Sequence, residues 1–298
     1  MTVIEYGSAL IVVDAGLMFP DEEMLGIDLV LPDFSYVLEN REKALAVVLT
    51  HAHEDHVGAL PYLLRELPDL PVYGTRLTLG LVNGKLGEHG LQGKVTTQEI
   101  ASEDRVTLGP FEVEFLQVCH SIPDGVALAI HTPVGTVVHT GDFKLDQTPV
   151  DCRVTALHRF GELGQEGVLL LMSDSTNAET PGFTEPERSV GKSLESIFAQ
   201  APGRIIVASF ASHIHRIQQV FETAAQFGRS VAVVVELLAL FSAKPALVNF
   251  EKARDMVQDN WTCDGSKAKA DFGFEQEIGL EAGIRETVDW YRAQGWLR

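Results

Sequence analysis

A chain of 298 residues with 45% hydrophobic and 22% charged residues sits near the globular average, which excludes a wholly disordered protein and leaves room for one large domain or two ordinary ones. The formal net charge of −19, from 42 acidic against 23 basic residues, speaks against a basic nucleic-acid surface, although a bound dication inverts the local field of a carboxylate-rich cleft. No run of 18 or more apolar residues occurs, the N-terminus lacks a secretory pattern, and Cys119, Cys152 and Cys263 are too scattered for a disulfide framework, so a cytoplasmic protein without a membrane span is expected.

From residue 1 to about 144 the chain reads as short apolar strands between turns: TVIEYG, ALIVVDAG, ALAVVLTH, PVYGT, KVTTQE, FEVEFLQV, VALAIHT and GTVVHTGD. Several alternate with period two, as where Phe111, Val113 and Phe115 face away from Glu112 and Glu114. Helical patterns are fewer, at Leu60 to Leu67 and in LTLGLVNGKLGEHG. From about residue 167 a cleaner alternation follows: strand GVLLLMSD, helix ERSVGKSLESIFAQA, strand RIIVASF, helix IHRIQQVFETAAQFG, strand SVAVVV. This is the pattern of an α/β unit with a parallel sheet. Beyond about residue 236 the character changes again, to a mostly helical tail in which Ile284, Val288 and Tyr291 take helical spacing.

The chemistry concentrates in LTHAHEDHVGALPYLL, where a buried strand gives way to a helix. In extended chain, residues two apart point the same way, so His51 and His53 can bind one metal from one side. Asp55 and His56 lie beyond the bend and aim at a neighbouring position about 3.5–4 Å away, the usual spacing of two-metal hydrolytic sites. Imidazole and carboxylate donors suit zinc, with manganese as the alternative where carboxylates bridge. A dinuclear site needs more donors at strand ends, and His120 after FEVEFLQVC and Asp142 at the end of GTVVHTGD supply them, Asp142 being placed to bridge. Asp14, ending the strand of IVVDAG, is expected to orient an imidazole from behind the ligand loop. His89, His131, His139 and His158 are expected to be structural.

With these residues the sequence resembles the metallo-β-lactamase superfamily, which implies a four-layer αββα sandwich with a dinuclear site at one edge of the sheets. The stretches VDAGLMFPDEEMLGIDLVLPD, HSIPDGVALAIHTPVGTVVHTGDFKLDQTPVD and LLLMSDSTNAETPGFTEPERSVG resemble the bacterial ribonuclease J family over roughly residues 1 to 233. Those proteins are β-CASP nucleases, in which a second α/β domain grips RNA. The resemblance implies two zinc ions, one on His51, His53 and His120, the other on Asp55 and His56, with Asp142 bridging. It places Asp55, Asp142 and Asp174 in the catalytic centre, Asp174 of SDST matching the acidic first β-CASP motif. The implied activity is metal-assisted RNA phosphodiester hydrolysis, by 5′ exonuclease and endonuclease action, with homo-oligomers or RNA-decay complexes as the setting. His213 and His215 of ASFASHIHRIQQV are expected to be surface histidines near a helix start.

The resemblance implies a metallo-β-lactamase domain over residues 1–175 and a partial β-CASP domain over 176–235. The segment 236–298 instead resembles the C-terminal end of extended short-chain dehydrogenases of the epimerase type, without their Gly-x-Gly-x-x-Gly or Tyr-x-x-x-Lys. It offers no Ser-Gly-His segment, and no histidine follows His215. A truncated nuclease joined to an unrelated tail is therefore expected, binding metal with weak or absent nuclease activity. The competing readings are a lactamase-fold hydrolase of thioesters or lactones and a catalytically weak zinc-binding scaffold.

Overall fold

The computed structural model describes residues 1–21, 23–210 and 212–231, all within one compact unit, Met1–Val231. The expected strand over 230–235 and the helical tail over 236–298 lie outside the described residues. Two five-stranded sheets carry the fold. In the first, β1 (Thr2–Tyr6) and β2 (Ala9–Val13) form an antiparallel hairpin, and β3 (Ala44–Val48), β4 (Val72–Thr75) and β5 (Thr97–Ile100) follow in parallel. In the second, β6 (Arg105–Leu108), β7 (Phe111–Gln117), β8 (Val126–Thr132) and β9 (Gly135–His139) make an antiparallel meander, and β10 (Val168–Met172) joins β9 in parallel.

Strand alternation sorts the apolar side chains into three cores. On β2, Leu10 and Val12 face outward into a core with Leu60, Leu63 and Leu64 of a covering helix and Val82 and Leu86 of another. Its other face, Ile11 and Val13, meets Phe111, Phe115, Leu128 and Ile130 across the gap between the sheets. The far face of the second sheet packs Leu116, Ala127 and Val138 against Leu163 and Phe160. Each fully buried Leu or Phe contributes about 1.5–3 kcal/mol. Short helices α1 (Ser35–Glu39) and α2 (Glu54–Val57) flank β3 along the chain; the helices of the first outer core are α3 (Leu60–Glu66) and α4 (Arg76–Glu88), and the opposite outer layer is α5 (Leu157–Glu166). Layer order is thus helix, sheet, sheet, helix, the four-layer sandwich that the family resemblance implies.

Beyond β10 come α6 (Ser189–Gln200) and α7 (Ile214–Gln226), packed on each other. The loop leading into α6 is tied to the segment after β9: Glu187 N–H donates to Asp146 Oδ2 at 2.9 Å, and Arg188 Nε donates to the Pro149 carbonyl at 3.1 Å. The expected strand over residues 204–210 is not formed. With no ladder partner among the described residues, RIIVASF leaves Ile206 and Phe210 exposed instead of pairing them into a sheet.

Alternation correctly sets Glu114 opposite the inter-sheet core, yet this acid is only 5% exposed. The outer face of β7 is covered by α5, and burial of the carboxylate there requires partners. Arg159 of α5 grips it with both arms, Nε at 2.7 Å and Nη2 at 3.0 Å, while Arg105 and His131 reach it at 3.0 and 3.2 Å. The Arg159 hydrogen bonds outweigh burial and, with His131 and the Arg105 charge, hold the Glu114 carboxyl down at about 2. A lowered pKa stabilises the fold above the unfolded value of 4.5, and that stabilisation is lost as pH falls toward about 2. Glu114→Gln is expected to cost about 2–3 kcal/mol at pH 7. In urea unfolding its midpoint should fall below that of the unsubstituted chain, with the gap closing between pH 4.5 and pH 2. Equal midpoints at pH 7 would contradict this role for Glu114.

Candidate metal centre

The first sheet delivers its side chains where β2 and β3 end. Beyond β3 the chain bends at Thr50 into His51, His53 caps the short helix α2 (Glu54–Val57), and Asp55 and His56 ride on that helix. Residues of the second sheet arrive from the C-terminal ends of two strands that run the same way, both antiparallel to β8: His120 beyond β7 and Asp142 beyond β9. Gly141 precedes Asp142 with φ +55°, and a Cβ there would lie 3.0 Å from both Thr50 Cβ and the Val126 carbonyl. Glycine alone satisfies both the left-handed backbone and the close approach.

Two groups of donors form. His51, His53, His120 and Asp142 each offer an atom within 4.8 Å of the others, and Asp55, His56 and Asp142 do the same. His51 Nε2 and His120 Nε2 lie 2.9 and 3.1 Å from His53 Nδ1. Asp142 belongs to both groups through different oxygens. Oδ2 lies 3.9 Å from His51 Nε2 and 3.6 Å from His120 Nε2, whereas Oδ1 lies 3.3 Å from His56 Nε2. Asp55 Oδ2 is 3.8 Å from the same His56 nitrogen.

Thr50 and Asp14 orient these rings. The Thr50 hydroxyl donates to Asp14 Oδ2 at 2.8 Å and lies 3.0 Å from His51 Nδ1. With its one proton given to Asp14, the hydroxyl accepts from His51 Nδ1–H, which leaves the His51 Nε2 lone pair facing the cluster. Asp14 Oδ2 also accepts from His56 Nδ1 at 2.7 Å, turning His56 Nε2 toward Asp55 and Asp142. Asp14 adopts φ +54°, a left-handed conformation that aspartate tolerates better than most residues. The sequence gives no motif for Thr50 or for Ser121, whose hydroxyl lies 3.4 Å from His53 Nε2.

Burial, with the neighbouring imidazoles, pushes His51 well below its ordinary pKa and His120 down to about 4. Both are therefore neutral, the form that donates to a metal. Burial also works to lower His56, but hydrogen bonds to Asp14 and Asp142, and their charges, overcome it and hold this imidazole up to about 10. A cation held between His56 Nε2 and Asp142 would compete with that proton and displace it.

Asp174 stands apart from both donor groups. It follows β10, its N–H donates to Thr140 Oγ1 at 2.9 Å, and its carboxylate closes an Asx turn on Thr176 N–H at 2.9 Å. Its charge still reaches His120. The surface placement expected of His215 is wrong: it is 4% exposed, with Nε2 3.4 Å from Asp151. His213 Nε2 lies 3.6 Å from Glu187. The inward turn comes from α7, which packs its first turn onto the loops carrying Asp151 and Glu187.

Residues 1–206 match the metallo-beta-lactamase superfamily, and residues 202–241 match the ribonuclease J β-CASP domain. Among curated relatives, ribonuclease J of Thermus thermophilus is 47% identical over 262 residues, covering 86% of this chain and 46% of the relative. Ribonuclease J 1 of Streptococcus pyogenes is 49% identical over 230 residues, covering 77% and 41%. Ribonuclease J2 of Bacillus subtilis is 46% identical over 231 residues, covering 78% and 41%. The chain thus spans under half the length of these relatives. A crystal structure of a protein of unknown function from Enterococcus faecalis V583 shares the fold at TM-score 0.53 and 19% identity, over 74% of this chain and 59% of that one.

Asp14→Asn keeps the side-chain volume but replaces one accepting oxygen by a donor, so it cannot receive both the Thr50 N–H at one oxygen and the Thr50 hydroxyl with His56 Nδ1 at the other. Loss of such an orienting partner lowers metal affinity by about 10–100-fold. Zinc titration against a competing chromophoric chelator should show that drop in Asp14→Asn. Unchanged zinc affinity would remove Asp14 from the metal centre.

Proposed function

We propose that this chain, which belongs to the metallo-β-lactamase superfamily, is a metal-dependent ribonuclease of the ribonuclease J type that hydrolyses RNA phosphodiester bonds. The observation that carries the reading is Asp142, whose two oxygens face two separate donor groups at the edge where the sheets meet. His51, His53 and His120 would hold one metal ion, Asp55 and His56 a second, and Asp142 both; all-nitrogen-and-oxygen donor sets suit zinc, with manganese as the alternative. When bound, such ions supply Lewis-acid charge that activates water and offsets the charge gathering on phosphoryl oxygens.

The chain's own residues prepare that chemistry. Neutral His51 and His120 present lone pairs without a proton to expel. Thr50 and Asp14 fix the rings from behind, so little reorganisation is left for the reacting state. Asp55 is 67% exposed at its side chain, which makes its side of the cluster the open approach for a phosphodiester. In this reading residues 1–175 form the metal-bearing domain and residues 176–235 the beginning of the part that grips RNA, anchored beside Asp142 through Asp146 and Glu187. Assembly into homo-oligomers or an RNA-decay complex in the bacterial cytoplasm belongs to the same reading.

The test is cleavage of end-labelled single-stranded RNA by the purified full chain with zinc or manganese added. Cleavage should vanish with chelator, and Asp142→Asn should lower it about 10³-fold, equivalent to about 4 kcal/mol of transition-state stabilisation. Cleavage retained by Asp142→Asn, or by chelated protein, would defeat the reading. Product length on the same gel separates 5′ exonuclease from endonuclease action.

A further inference from the structure

The turn that carries Asp55 and His56 is held by more than its own short helix. After β2 the chain Ala15–Leu17 runs along it and bonds to it by main chain: Ala15 N–H donates to the His56 carbonyl at 2.7 Å, Leu17 N–H to the Glu54 carbonyl at 3.1 Å, and Ala59 N–H to the Ala15 carbonyl at 2.8 Å. At the centre of this contact is Gly16. A Cβ on Gly16 would lie 1.5 Å from the Asp55 carbonyl oxygen, 1.9 Å from its carbonyl carbon and 2.6 Å from the His56 nitrogen. Every one of these atoms is backbone, so no side-chain rotation relieves the overlap. Gly16 is not among the positive-φ residues; the space, rather than the dihedral, demands glycine.

We propose that Gly16 is a positioning residue for the second metal: its bare backbone lets the β2 extension lie against the Asp55–His56 peptide and so sets where those two donors stand. The inference rests on the dinuclear reading given above. Raising the shortest contact from 1.5 Å to the 3.0 Å that real Cβ atoms keep needs a retreat of about 1.5 Å. Metal–ligand distances tolerate about 0.2 Å. The two segments cannot separate that far and keep both the three backbone bonds and the placement of Asp55 and His56 relative to Asp142. The donors of the other group are less exposed to the change. His51 stands just past the end of β3, and His120 and Asp142 come from the second sheet. His53 precedes the turn and faces His51 and His120. The consequence is selective: one metal is lost and one is kept.

The probe is zinc alone, loaded into the full chain and counted per chain after dialysis, with far-UV circular dichroism on the same samples. Two zinc ions are expected in the unsubstituted chain and in Gly80→Ala, a control in α4 where an added Cβ meets nothing within 4 Å. About one is expected in Gly16→Ala with an unchanged dichroism spectrum. Two zinc ions in folded Gly16→Ala, released by chelator at the same concentration as in the unsubstituted chain, would overturn the proposal. One zinc or none in the unsubstituted chain would instead overturn the dinuclear reading beneath it. If Gly16→Ala does not accumulate as folded protein, Gly58→Ala decides, because its Cβ would press at 2.5 Å on both the Glu54 carbonyl, which accepts from Leu17 N–H, and the Leu17 side chain, from the other side of the same contact. Earlier release of one zinc than in the unsubstituted chain supports the proposal, and identical release of both refutes it.

Discussion

Thr50 is the residue through which the two sheets are joined by main chain at the metal-bearing edge. Its N–H donates to Asp14 Oδ1 at 2.8 Å, and its carbonyl accepts from Val126 N–H, the first residue of β8, at 3.0 Å. Val48, the last residue of β3, likewise accepts from Asp14 N–H at 3.0 Å. The ends of β2, β3 and β8 are thereby fixed to one another at a fully buried point. Such bonds are short and well sheltered from water, so the geometry they set is stiff. Because the Thr50 hydroxyl also serves Asp14 and His51, the joint between the sheets and the orientation of the imidazoles share the same atoms. A sandwich whose layers slid over each other would lose both together.

Much of this framework is legible in the sequence because burial on two faces leaves continuous apolar runs such as ALIVV and ALAVV, each ending on polar residues. The strand β10 and the two helices after it are likewise readable, but β10 pairs in parallel with β9 rather than with the run at 204–210. What is not legible depends on partners. β6, RVTL, is too short to signal itself and exists because β7 pairs with it over four residues. Helix α5 contains two glycines and few apolar residues, and its sequence is overshadowed by flanking turns, so it is missed although Leu163 and Phe160 close the outer core. The opposite error occurs at residues 204–210, where a strand-like apolar run lacks a described partner. Glu114 shows the same limit at one side chain: alternation gives its face but cannot say that Arg159, 45 residues later, will bury it.

The candidate site divides in the same way. The histidines and aspartates are conspicuous because polar residues packed at the end of an apolar strand have no packing reason to be there. His51, His53, Asp55, His56, His120 and Asp142 all gather within two overlapping donor groups, whereas Asp174 is held in an Asx turn beside them. Thr50, Ser121 and Gly16 are invisible to motif reasoning, since a threonine, a serine and a glycine are ordinary anywhere and acquire their meaning from segments brought against them. Gly16 is the extreme case, defined by what it lacks.

The arrangement also answers the charge. A formal −19 is a poor field for a polyanionic substrate at long range, but salt screens exposed charges beyond about 10 Å at 0.1 M. Inside that distance the count is local. With neutral His51 and His120, the carboxylates of Asp14, Asp55 and Asp142 set the negative charge at the cluster, and two dications, on the dinuclear reading, exceed it. The field a phosphodiester meets at the open Asp55 side is then attractive, although the protein as a whole repels it. Binding energy in such a site must come from the metals and from their close surroundings rather than from a basic surface. The 1.5 Å clash that glycine avoids at position 16 therefore bears on more than local packing. On the dinuclear reading it governs whether Asp55 and His56, the donors on the more exposed side of the cluster, are in place.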